Sequence, residues 1–113
     1  MTPPTRCIVF PKIFRRSLEV DNRLCLGSFM GAETDDLPAE VAAEIKLFAD
    51  INVAWLSELL VAAKLSKPKT ATSRARAIFA AVAGAQLLAR SRSDIALFDS
   101  VIETYRTSGL LPV

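Results

Sequence analysis

Apolar residues recur along most of this chain at alternating three- and four-residue steps, the spacing of one face of an α-helix. The clearest example predicts a long helix from about Pro38 to Lys64, which begins after the acidic run at residues 33–36. Its main stripe consists of Val41, Ile45, Phe48, Asn52, Trp55, Leu59 and Ala62. Further apolar residues flank this stripe, so we expect a helix that is surrounded by neighbours.

The same periodicity predicts three other helices. The first runs from Lys12 to about Glu33, and another runs to about Arg92 from a loop at residues 65–73. The helix that ends near Arg92 is the third along the chain, and its candidate N-caps are Thr70, Thr72 and Ser73. The last helix follows the cap Ser93-Asp94, contains Arg106 in its final turn and ends at Gly109.

Residues 1–11 contain three prolines and show no periodicity, which predicts an extended arm or a poorly ordered terminus. We therefore divide the chain into residues 1–21, an arm with the start of the first helix, and a domain at residues 22–113. No segment alternates with a two-residue period. The predicted fold class is all-α, with about four helices.

The third predicted helix has two different faces. One is a seam of small residues, and the other carries Phe79, Val82, Ala83 and Gln86. Because small side chains let helices approach closely, this seam and the apolar last helix predict a symmetric homodimer. The predicted interface consists of Ala77, Ala81, Gly84, Leu88, Phe98, Val101, Ile102 and Tyr105. Packing of the same residues within one subunit is the alternative.

Two amide side chains lie among aromatic residues of the predicted helices. Asn52 shares a stripe with Phe48 and Trp55, and Gln86 shares a face with Phe79. Small-molecule pockets are typically apolar with a few polar groups, so these five residues predict the lining of a pocket for a small, apolar ligand. Amides that bond to nearby backbone or lie at the surface are the alternative.

Composition excludes several classes of function. The chain of 113 residues is 51% hydrophobic and 23% charged, with a net charge of +2, no histidine and only two cysteines. We therefore expect no catalytic site, no metal site and no cofactor. The apolar runs are too short to span a membrane, and a reducing cytoplasm suits the cysteine usage.

Nucleic-acid binding is not expected from this chain itself. Its basic N-terminal group contains Arg6, Lys12, Arg15 and Arg16, with only Phe10 and Phe14 near enough in sequence to stack on bases. No recognition-helix pattern surrounds these residues. We interpret them as a solvated cluster.

Four segments resemble the C-terminal domain of TetR/AcrR-family transcriptional regulators. They are residues 24–33, residues 37–41, Trp55-Leu56 and the closing residues 105–112, and the resemblance spans residues 22–113. It implies a helical domain in which the last two helices of each subunit form a four-helix dimer interface. The remaining helices would enclose an inducer cavity.

The chain departs from this family at its start. Family members begin with a helix-turn-helix DNA-binding domain, and residues 1–21 do not match one. The resemblance therefore implies an effector-binding and dimerisation domain without its DNA-binding partner, as an expressed fragment, a truncated gene product or a stand-alone module. The alternative function is a structural helical homodimer with no ligand.

Overall fold

The computed structural model describes residues 3–20, 22 and 37–112, and it describes side chains from Phe10 onward. The described residues form four helices: α1 (Pro3–Glu19), α2 (Ala39–Ala62), α3 (Pro68–Ser91) and α4 (Ile95–Thr107). The described part of the chain contains no strand. The all-α class is thus confirmed, and the described residues contain the four helices that the sequence predicts.

The predicted extended arm is wrong, because residues 3–19 form α1 with Pro11 inside it. A proline within a helix costs about 3 kcal/mol. Phe10, Phe14 and Leu18, spaced one turn apart, are all buried, and burial of each such side chain contributes about 1.5–3 kcal/mol. Burial therefore outweighs the proline penalty.

The first predicted helix is also wrong in extent. The chain leaves the helix after Glu19, and Asn22 adopts a left-handed conformation with φ 53°. Left-handed φ values are incompatible with a continuing α-helix. The remainder of this prediction, including the family-like segment at residues 24–33, lies outside the described residues.

Helix α3 is the centre of the fold and packs against α1, α2 and α4. Its buried side chains are mostly small, which lets three neighbours approach its axis closely. They are Ala71, Ala75, Ile78, Val82, Ala85, Gln86 and Ala89. All of them lie on the side of α3 that faces the other helices, so the opposite side is left to solvent.

The predicted bounds of α2 are confirmed to within two residues, but its predicted burial is wrong. Only Leu56, Leu59 and Leu60, near its end, are buried. Phe48 is 46% exposed and Ile51 is 59% exposed. Helices α1 and α3 cover only the side of α2 that carries the three leucines. The many apolar residues around α2 therefore did not indicate that neighbouring helices surround it.

The starts of the last two helices follow different chemistry. Asp94 caps α4 as predicted, because its Oδ1 accepts a hydrogen bond from the Leu97 N–H at 3.1 Å. The caps predicted for α3 are wrong, since α3 begins earlier, at Pro68. Proline suits the first helical position because its φ is already helical and no N–H is needed there.

Helices α2, α3 and α4 all end in the same hydrogen-bonded motif. In each, a residue with left-handed φ follows the C-cap: Lys64 (φ 59°), Ser93 (φ 48°) and Gly109 (φ 86°). The next N–H then reaches back five residues, as in the 2.9 Å bond from Leu65 to the Leu60 carbonyl. This is the Schellman motif, in which glycine is preferred at the left-handed position.

None of the described helices is long and apolar enough to cross a membrane. The longest, α2 and α3, have 24 residues each, and both are interrupted by charged side chains. A membrane span needs about 20 predominantly apolar residues.

Lys64→Gly and Ser93→Gly should each raise the free energy of unfolding by about 0.5–1 kcal/mol, because glycine removes the strain of a side chain at left-handed φ. Gly109→Ala should lower it by a similar amount for the same reason. Urea unfolding followed by circular dichroism measures all three. Lys46→Gly, within α2, is the control and should destabilise; stabilisation there as well would contradict the explanation.

Candidate functional site

The most distinctive surface of the protein is the solvent side of α3. Besides the exposed charged residues Lys69, Arg76 and Arg90, this side carries a row of exposed, uncharged residues: Ser73, Ala77, Ala80, Gly84, Leu87, Leu88 and Ser91. We call this set the α3 outer face. It extends over about 27 Å at the rise of an α-helix. Leu87 is 52% exposed and Leu88 is 43% exposed, so a continuous row of small and apolar groups faces water.

Gly84 lies in the middle of the α3 outer face and has free space above it. A Cβ atom added at Gly84 would meet no other atom within 4 Å. Glycine costs about 1 kcal/mol relative to alanine inside a helix. No contact within the described chain requires the absence of a side chain here.

The residues predicted for the dimer interface are divided between the surface and the core. Ala77, Gly84 and Leu88 are exposed on the α3 outer face, and Ala81 is half-buried beside it. Phe98 and Ile102 are buried in the core of the subunit. They therefore present no surface to a second copy as the helices stand.

Tyr105 joins the two helices next to the outer face. Its hydroxyl donates a hydrogen bond of 3.1 Å to the carbonyl oxygen of Ala81. Val101, one turn earlier on α4, is half-buried against the core. These contacts hold α4 beside α3, so Val101 and Tyr105 border the α3 outer face.

The five residues predicted to line a pocket have different surroundings in the described part of the structure. Phe79 packs with Phe10 and Phe14 of α1, with ring centroids 6.3 and 6.2 Å apart. The ring centroid of Trp55 lies 6.5 Å from that of Phe10. Phe48 is exposed, and the Asn52 amide donates to the Phe48 carbonyl oxygen at 2.8 Å. The aromatic rings thus fill the junction of three helices.

Gln86 is the one fully buried polar side chain of the described core. Its Nε2 donates a hydrogen bond of 2.9 Å to the carbonyl oxygen of Phe14 in α1. A hydrogen bond of this kind satisfies an amide that would otherwise be costly to bury. Gln86 therefore connects α3 to α1.

A cleft of about 320 Å³ lies between α1 and α4. Its lining combines core residues with a ring of charged side chains: Pro11, Lys12, Arg15, Phe98, Asp99, Ile102, Glu103 and Arg106. The Arg15 guanidinium donates to both oxygens of Asp99, from Nε at 2.7 Å and from Nη2 at 3.0 Å. Arg15 also contacts Glu19. Such bidentate geometry fixes both side chains.

The ion pair shifts the titration of both partners. The hydrogen bond from Arg15 is the main reason that the pKa of Asp99 lies below its usual range, and the charge of Arg106 contributes less. The same hydrogen bond raises the pKa of Arg15. Because both side chains are more than one-third exposed, water screens the attraction and its contribution to stability is small.

A second groove, of about 740 Å³, lies at the loop between α2 and α3. Arg74 on its wall donates to the carbonyl oxygens of Leu65, Gly109 and Leu110. These carbonyls lie just after the last residues of α2 and α4, near helix ends whose dipoles favour a positive charge. Arg74 thus secures two helix ends, and its donors are engaged with the protein itself.

Several of these contacts were missed in the sequence. The four-residue spacing of Phe10, Phe14 and Leu18 was a signal for α1, but Pro11 concealed it. Arg15 and Asp99 are 84 positions apart, so periodicity gives no indication that they meet. Within the described residues, no group of three His, Cys, Asp or Glu side chains could hold a metal ion. Cys25 and the side chain of Cys7 lie outside them.

No family model, no curated protein and no solved structure matches this chain.

Gln86→Glu should lower the free energy of unfolding by roughly 3–4 kcal/mol at pH 7, because a buried carboxylate cannot donate to the Phe14 carbonyl. Burial raises the pKa of the introduced carboxyl, so the loss should shrink as the pH falls towards 4 and the donor is restored. Urea unfolding at both pH values measures this. Gln86→Met is the control: it should cost about 1 kcal/mol independently of pH. Equal losses at both pH values for Gln86→Glu would contradict the assigned bond.

Asp99→Asn should lower the free energy of unfolding by less than about 1 kcal/mol at pH 7 and low salt, because the pair is exposed. The lowered pKa of Asp99 means that the contribution is present above the unfolded value of about 3.9 and disappears as the pH falls through the folded value. The difference from wild type, measured by urea unfolding, should therefore vanish near pH 2 and in 1 M salt. A difference that persists under both conditions would indicate a packing role instead.

Proposed function

We propose that this chain is an effector-binding and dimerisation domain of the TetR/AcrR type, and that it forms a homodimer through the α3 outer face. The observation that carries the proposal is the uncharged, exposed row of small residues around Gly84. The resemblance of the sequence to that family supports the proposal. The position of the row on one of the last two helices agrees with the family's mode of dimerisation.

The α3 outer face has the properties of a close helix-to-helix contact. Small residues allow helix axes to approach within about 8–10 Å, and the row itself contains no charged side chain that a contact would have to desolvate. Leu87 and Leu88 would gain burial from a partner and gain none without one. A dimer would also explain the glycine at position 84, since the backbone of the partner's helix would occupy the space next to it.

A twofold axis through Gly84 makes the α3 outer face complementary to itself. Two antiparallel copies of α3 would then place Gly84 against Gly84, Ala80 against Leu88, and Ala77 against Ser91. Each larger side chain meets a smaller one, as close packing requires. Val101 of α4 would border this contact, while Phe98 and Ile102 would hold α4 in place from inside the subunit.

A structural homodimer with no ligand is the second candidate function. It is favoured by the aromatic cluster, in which Phe10, Phe14 and Phe79 contact one another where a pocket was predicted. Both candidates share the same dimer interface. They differ only in whether a ligand site exists elsewhere in the subunit.

Gly84→Arg should convert a wild-type dimer into a folded monomer, which sedimentation equilibrium measures at tens of micromolar protein. A long charged side chain fits the free space of one subunit but not a close helix contact. The substitution should not strain the subunit itself, because arginine is a better helix former than glycine. Strain within the subunit should therefore not lower the melting temperature of the variant.

Ala96→Arg is the matched control, since it adds the same side chain at an exposed small residue of α4, away from α3. It should remain a dimer. A monomeric wild-type chain, or a Gly84→Arg variant with the mass of the wild type, would overturn the proposed interface.

A further inference from the structure

Helix α2 exposes an apolar surface that none of the other described helices covers. Helices α1 and α3 pack against the side of α2 that carries its three buried leucines. On the other side, four large apolar side chains are 37–59% exposed: Leu47, Phe48, Ile51 and Trp55. We call these four residues the α2 apolar face. Single exposed apolar residues are ordinary on a protein surface, but a contiguous row of large ones indicates a binding surface.

The charges of α2 are mostly negative. The helix contains four carboxylates and one lysine, all of them exposed. At about 100° of rotation per residue, Glu44 and Glu58 lie within about 20° of Ile51 around the helix axis, whereas Lys46 lies about 140° away. A carboxylate is thus found one turn before the α2 apolar face, and another is found one turn after it.

The cations of the neighbouring helix α1 lie away from this surface. Lys12, Arg15 and Arg16 are about 120–160° around α1 from Phe10, the α1 residue whose ring lies near Trp55. No ion pair among the described residues joins α1 to a carboxylate of α2. The described residues therefore do not neutralise the negative charge beside the α2 apolar face.

A second copy of this chain is a poor partner for the α2 apolar face. A twofold contact centred on Ile51 would place Leu47 against Trp55, but it would also place Glu44 against Glu58 at both ends. Like charges that face each other across a contact oppose binding. The same carboxylates oppose binding to an anionic lipid surface. The surface therefore favours a partner with positive charges.

We propose that the α2 apolar face binds an amphipathic helix of another protein, with a basic residue at each end of that helix's apolar stripe. Helical partners of this kind dock through apolar anchors at positions i, i+3 or i+4 and i+7. Glu44 and Glu58 are 14 residues apart in the sequence, which is about 21 Å along an α-helix. Two cations 14 positions apart on a partner that crosses at a small angle match both carboxylates. This interaction is additional to the proposed dimer and uses a different helix.

Trp55 is the single tryptophan of the chain, so its fluorescence reports directly on the α2 apolar face. The probe is a synthetic helical peptide of about 18 residues, or five turns, with a leucine stripe, a lysine near each end and no tryptophan. Added to the full chain, this basic peptide should shift the Trp55 emission to shorter wavelength in a saturable manner. An acidic peptide, with glutamate in place of both lysines, should bind about tenfold more weakly. Equal affinity for the two peptides, or no saturable shift, would overturn the proposal.

Reversal of the two α2 charges should exchange the peptide preference. The double variant Glu44→Lys, Glu58→Lys should bind the acidic peptide about tenfold more tightly than the basic one. Glu103→Lys, at an exposed glutamate of α4, is the control and should keep the wild-type preference. A double variant that still prefers the basic peptide would count against the assigned carboxylates and overturn the proposal.

Two apolar substitutions separate this surface from the α3 outer face. Ile51 and Leu87 are both more than half exposed, so replacement by serine should leave the fold intact. Ile51→Ser should weaken binding of the basic peptide about tenfold, and Leu87→Ser should leave it unchanged. The reverse result would assign the peptide to the α3 outer face and overturn the proposal. Binding by Gly84→Arg at wild-type affinity would support the α2 apolar face whether or not the wild-type chain is a dimer.

Three results would identify a different occupant of the α2 apolar face, and each would overturn the proposal. Trp55 that is shielded from acrylamide at every protein concentration would show that the chain itself covers the face. Shielding that grows with protein concentration and persists in Gly84→Arg would show that a second copy covers it. An emission shift with phosphatidylglycerol vesicles as large as that with the basic peptide would indicate a lipid surface. Access of acrylamide to Trp55 at all concentrations, with no response to vesicles, would support the proposal.

Discussion

Close packing on one side of α3 is the constraint from which the rest of the described structure follows. The buried side of α3 is mostly alanine, with Ile78, Val82 and Gln86 as its larger members. Small side chains let α1, α2 and α4 all contact α3 directly. Because three neighbours occupy one side, the other side has no partner among the described helices. The exposed row around Gly84 is therefore a consequence of the same packing that forms the core.

The α1 helix shows how tertiary burial overrides a local preference. Pro11 removes one helical hydrogen bond, yet Phe10 and Phe14 on either side of it enter the core. The Gln86 amide then binds the Phe14 carbonyl, and Arg15 reaches Asp99 on α4. A segment with weak intrinsic helicity is thus held by apolar contacts, one buried hydrogen bond and one exposed ion pair.

The proposed interface and the cleft with α1 lie on different sides of α4. Tyr105 and Val101 border the α3 outer face, whereas Asp99, Glu103 and Arg106 face the cleft with α1. Phe98 and Ile102 lie between the two surfaces in the core.

The sequence by itself determined the helical class, the bounds of α2, the Asp94 cap and the Gly109 stop, because periodicity, capping and left-handed φ are local properties. It also separated the two faces of α3. Only the tertiary structure decided which face of each helix is covered, why residues 3–11 are helical and where Gln86 finds its partner. Those outcomes depend on contacts between residues many positions apart, and the pattern of a single segment does not specify its neighbours.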